Sequence, residues 1–63
     1  MRKNLKEARQ AAGMTQQQVA EKLEVTVRSY QRIESGEMLG SIKNWDILED
    51  LFSICQRKLR ENQ

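Results

Sequence analysis

The chain of 63 residues contains no histidine, no proline, one cysteine, three glycines and only three aromatic side chains. Without histidine there is no imidazole to act as general base or to activate a nucleophile. One cysteine cannot close an internal disulfide, and without histidine it cannot build a structural zinc site. No signal-like apolar segment is present either, so a stapled secreted miniprotein is excluded and a cytoplasmic location is expected. No stretch approaches the ~18 apolar residues a membrane span needs. The length accommodates one small domain over residues 1–63, and a catalytic pocket would be cut out of an already small core. No catalytic residue, metal or cofactor is expected, and the chain is not read as an enzyme.

What remains favours helix. Gln, Glu, Lys, Arg, Leu and Ala dominate, proline never interrupts them, and no stretch alternates apolar and polar residues for long, which makes the chain all-α. The net charge of +2 conceals a gradient. Residues 1–35 carry seven basic side chains (Arg2, Lys3, Lys6, Arg9, Lys22, Arg28, Arg32) against four acidic ones. Residues 36–56 carry Lys43 against Glu37, Asp46, Glu49 and Asp50, and the last residues are basic again. The N-terminal half can therefore face a polyanion, whereas the following segment should not.

Helix punctuation is consistent along the chain. Asn4 and Glu7 have the spacing of a capping box, Leu5, Ala8 and Ala12 share a face, and Gly13 stands where a left-handed terminator belongs, predicting a helix over 4–12. Thr15 and Gln18 form a second box, with Met14 and Val19 as a hydrophobic staple, and this helix runs over 15–23. Thr26 caps a third helix over 26–35, with Tyr30 and Ile33 inward and Gly36 as the stop. Only Glu24 and Val25 separate the second and third helices, so the two must cross steeply, as in a helix-turn-helix. Ser41 caps a fourth helix containing Ile42, Trp45, Leu48, Leu51 and Phe52, and a short last helix is expected near 53–60. Drawn as one helix, the apolar residues from Trp45 to Leu59 span about half the circumference, against the roughly 100° that one small core needs. Either a five-helix core wraps this segment on two sides, or Ile47, Leu51, Ile54 and Cys55 form a dimer interface. Trp45 is expected in the core, and Cys55 is expected as a buried thiol.

Leu5, Arg9, Gly13-Met14-Thr15-Gln16, Val19-Ala20, Leu23, Val25-Thr26, Tyr30 and Ile33-Glu34-Ser35-Gly36 together resemble the phage-repressor and Cro type of helix-turn-helix DNA-binding domain. The resemblance is close over residues 3–36 and looser in the fourth helix. It implies a compact four- to five-helix bundle of the lambda-repressor-like type, whose third helix enters the major groove of double-stranded DNA. On that helix Arg28 and Arg32 suit guanine, Gln31 suits adenine and Val27 suits a thymine methyl group. Gln16 at the start of the second helix, Gln17 and Ser29 are candidate phosphate contacts. Lys3, Lys6 and Lys43 add long-range attraction. Arg9 and Glu34 look like the family's internal ion pair, a structural role. The family also implies a homodimer on a palindromic operator. Two departures stand out: Glu24 replaces the usual glycine at the turn, and the loop Glu37-Met38-Leu39-Gly40 lacks the basic residues several members bring to phosphates. The function expected is a transcriptional regulator of repressor type. The alternative is a protein-interaction module of the same fold, as in antitoxins that bind a protein partner; the broad apolar, acidic fourth helix favours it.

Overall fold

The computed structural model describes residues 1–62. Five helices follow one another, α1 (Lys3–Ala11), α2 (Gln16–Leu23), α3 (Val27–Ser35), α4 (Ile42–Phe52) and α5 (Gln56–Leu59), and no strand occurs among the described residues. Every helix contributes to one apolar core, built from Leu5, Val19, Leu23, Tyr30, Ile33, Trp45, Leu48 and Leu59 with the small side chains of Ala8 and Ala20 between them. The α2–α3 pair is the most extensive packing in the molecule.

The inner helix ends follow the sequence closely. Thr15 caps α2 in a complete box: the Gln18 amide donates to Thr15 Oγ1 at 3.1 Å and the Thr15 amide to Gln18 Oε1 at 2.9 Å. Thr26 accepts from the Ser29 amide at 3.1 Å, and Ser41 accepts from the Asn44 amide at 3.3 Å. Helix α1 closes with the Met14 amide on the Arg9 carbonyl and the Gly13 amide on the Gln10 carbonyl, the two bonds of a Schellman motif. Glu24 takes the left-handed conformation, at φ 59°, that the missing glycine would have adopted freely. Gly36 is favoured by its backbone conformation, and the Asn62 side chain lies over it. Its φ is 90°, and a Cβ there would lie 2.6 Å from the Asn62 side-chain amide that covers it.

The start of α1 corrects the expected capping box. The Arg2 amide donates to the Glu34 carbonyl at 2.8 Å, which starts the helix two residues early and leaves Arg2, not Asn4, at the cap position without a capping side chain. Asn4 then lies inside the first turn, where it cannot cap. Its amide donates instead to the Lys58 carbonyl at 3.1 Å and to Glu61 Oε2 at 2.7 Å. Ala12, expected on the buried face, is exposed as the C-terminal cap.

The apolar segment after Trp45 is not one helix. Ser53 adopts a left-handed conformation at φ 55° and ends α4. The chain turns, and α5 begins with its Gln56 amide donating to the Glu49 carboxylate at 3.1 Å. Leu59 is thereby delivered to the core, while Ile47, Leu51, Phe52 and Ile54 pack half-buried against its edge. The half-circumference arc assumed a continuous helix, and the turn at Ser53 divides it. Cys55 corrects a second expectation, because at the start of α5 it is exposed.

Arg2 joins the ends of three segments. Its guanidinium Nη1 donates to the carbonyls of Ile33 (2.6 Å) and Met38 (2.8 Å), and Nε donates to the carbonyl of Arg60 (3.1 Å). Its carbon lies 5.3 Å from the centre of the Trp45 ring. Only 5% of the residue is exposed. Its charge meets the negative, C-terminal ends of α3 and α5 rather than a carboxylate. Burial lowers its pKa from the usual arginine value.

Candidate nucleic-acid interface

The α2–α3 corner presents one polar surface. The capped starts of both helices and the tight connection through Glu24 fix α3 so that Tyr30 and Ile33 point into the core. The opposite side of α3 follows from helical periodicity. Val27, Arg28, Gln31 and Arg32 are all exposed there. The side chains of Arg28 and Arg32 make no hydrogen bond or ion pair with another described residue, so both guanidinium groups are available. With Gln31, Ser35 and Glu37 they line a shallow hollow along the helix.

The phosphate candidates occupy different surroundings. Gln17 is exposed at the start of α2, and Ser29 is half-buried with its hydroxyl accepting from the Thr26 hydroxyl at 3.0 Å. Gln16 is half-buried and already bonded. Its Nε2 donates to Glu34 Oε1 at 3.3 Å, and its Oε1 accepts from Gln31 Nε2 at 3.1 Å. That link between the two helices escaped the sequence, because both glutamines carry exposed-type side chains and their meeting depends on the α2–α3 crossing. Lys3 and Lys43 are exposed and Lys6 half-buried.

Behind this surface Arg9 and Glu34 meet in a forked pair, Nε to Oε2 at 3.0 Å and Nη2 to Oε1 at 3.2 Å. The third Arg9 nitrogen, Nη1, donates to the Met14 carbonyl at 2.9 Å. Glu34 is 2% exposed, and its hydrogen bond raises the Arg9 pKa above the usual arginine value. The Tyr30 hydroxyl is buried beside the pair without a hydrogen-bond partner. Burial first, then the Glu34 carboxylate, pushes its pKa up from 10.0.

The loop after α3 is apolar where basic side chains were missing. Leu39 is 62% exposed and Ile42, the first residue of α4, is 77% exposed, with Met38 beside them. Among the described residues there is no cluster of ligating side chains that could hold a metal ion, and no helix is long and apolar enough to cross a membrane.

A helix-turn-helix family model matches residues 5–54, so the capped corner and α4 both fall inside the match. The chain belongs to this family, the phage-repressor and Cro type of helix-turn-helix, and is a DNA-binding helix-turn-helix regulator. A comparison with curated proteins finds no match, and neither does one with solved structures.

Proposed function

We propose that the chain is a sequence-specific double-stranded DNA-binding repressor of transcription that reads the major groove with α3. The observation that carries this is the row Val27, Arg28, Gln31 and Arg32, exposed together on the outer side of a helix whose inner side is locked in the core. Two unpaired guanidinium groups four residues apart match guanine N7 and O6 edges, and Gln31 between them matches adenine. Gln17 and the N–H of Gln16 that Glu34 does not take are placed to meet phosphates near the start of α2, where unpaired amides favour an anion. Ser29 adds a hydroxyl at the start of α3. Arg9 and Glu34 hold the corner and touch no base.

One such corner reads a few base pairs, so useful affinity calls for a homodimer on a palindromic operator. The surface assigned to that contact is the half-buried edge of Ile47, Leu51 and Ile54 with exposed Cys55. A second function, partner binding by the same fold as in antitoxins, draws on exposed Leu39 and Ile42.

A gel-shift assay against genomic fragments tests the proposal. Arg28→Ala and Arg32→Ala should each cost about 1–3 kcal/mol on the preferred fragment and relax preference at one position. Equal, weak binding by wild type and both variants, with the same salt slope, leaves only phosphate attraction and refutes sequence reading.

A further inference from the structure

A continuous run of hydrogen bonds leads from the core to the outer side of α3: Arg9 to Glu34 (3.0 Å), Glu34 to Gln16 (3.3 Å) and Gln16 to Gln31 (3.1 Å). Its direction is dictated by chemistry. The Glu34 carboxylate, paired with the Arg9 guanidinium, only accepts. The Gln16 atom facing it must be nitrogen, and Gln16 Oε1 is then turned toward Gln31. That oxygen also only accepts, so the Gln31 atom meeting it must be nitrogen. A buried carboxylate thus sets the orientation of two successive amides, the second of them exposed on α3.

We propose that Gln16 is a specificity-determining positioning residue, which carries the orientation imposed by Glu34 to Gln31 and so selects the base that Gln31 reads. This rests on the reading of α3 as the groove-reading helix. A glutamine free to flip can offer a mixed acceptor–donor edge to adenine, or its NH2 group to the acceptors of guanine. With one N–H given to Gln16 Oε1, Gln31 keeps its carbonyl oxygen and one N–H. That pair complements adenine N6 and N7. Against guanine, the same oxygen faces the O6 acceptor and is repelled. The amide is also ordered before DNA arrives, so less side-chain freedom is lost on binding.

The test compares wild type, Gln31→Ala, Gln16→Met and Gln16→Ala on the preferred duplex from a randomised library and on all of its single-base variants. Gln31→Ala locates the base pair that Gln31 reads. Gln16→Met keeps the side-chain length without the amide. It should lower adenine-over-guanine selectivity at that same base pair by about fivefold or more, the low end of what a bidentate contact contributes, and leave the preferences read by Arg28 and Arg32 intact. Gln16→Ala should do the same. In the free protein, the Gln31 side-chain amide resonances should shift in both Gln16 variants. A loss of affinity equal across all duplexes reduces Gln16 to a phosphate contact and overturns the proposal. Unmoved Gln31 resonances overturn it as well. If Gln31→Ala flattens no base pair while the arginine variants do, the relay fails and groove reading by α3 stands. If none of the α3 variants flattens a base pair, groove reading itself fails.

Discussion

Replacing Arg2 by Met keeps most of the stem in place and removes the cation from the junction of α1, α3 and α5. The bond to the Ile33 carbonyl is buried, and hydrogen bonds from a charged donor contribute about 1.5–3 kcal/mol each. The Met38 and Arg60 carbonyls are part-buried, and water can reach them after the change, so each bond there contributes about 0.5–1.5 kcal/mol. With the contact to the Trp45 ring, the expected loss is about 3–7 kcal/mol. A chain of this length has roughly 3–9 kcal/mol in total. Thermal unfolding followed by far-ultraviolet circular dichroism, with Trp45 fluorescence as a second probe, should show Tm falling by about 12 °C or more. Arg2→Lys should fall between the two, since one ammonium cannot reproduce the fork toward three carbonyls. A decrease below about 4 °C for Arg2→Met would refute the assignment of Arg2 as the tie between these segments.

The Arg9–Glu34 pair gives a sharper comparison. Arg9→Met should cost about 3–5 kcal/mol by leaving a buried carboxylate unpaired, and adding Glu34→Leu should recover most of that loss in a double-mutant cycle. Tyr30 predicts an alkaline effect: its folded pKa lies above the unfolded 10.0, so its contribution is complete below pH 10 and is lost as pH rises beyond it. Relative to Tyr30→Phe, wild type should lose about 1.4 kcal/mol per pH unit there, measured by urea unfolding. Near neutral pH Tyr30→Phe should be the more stable by about 1–3 kcal/mol, because it removes a buried hydroxyl without a hydrogen-bond partner. Glu24→Gly should relieve the left-handed strain and gain about 1 kcal/mol, seen as a Tm rise of about 4–8 °C. Leu39→Lys should steepen the salt dependence of DNA binding by about one unit, if the loop lies beside the duplex.

The inner corner was legible because its signals are local. Thr15, Gln18, Thr26 and Gly36 act on amides within four residues of themselves, so spacing alone places the ends of α2 and α3. Tyr30 and Ile33 follow from the helical period once those ends are fixed. Asn4 misled because a competing long-range bond, from the Arg2 amide to the Glu34 carbonyl, moved the start of α1. Cys55 misled because Ser53, an ordinary residue in a left-handed conformation, ended α4 where no glycine announced it.

The chain's own pattern of caps, periods and stops determined that there would be helices, where two of them meet, and which side chains of the third face outward. Contacts between distant residues decided the rest. Arg2, counted in sequence as one more surface cation, is buried against Trp45 because the ends of α3 and α5 converge on it. Gln16 and Gln31, fifteen residues apart, meet because α2 and α3 cross over Glu34. Periodicity and capping depend on neighbours in sequence, whereas a buried charge or an oriented amide depends on which carbonyls and carboxylates the finished packing brings within 3 Å or so of it.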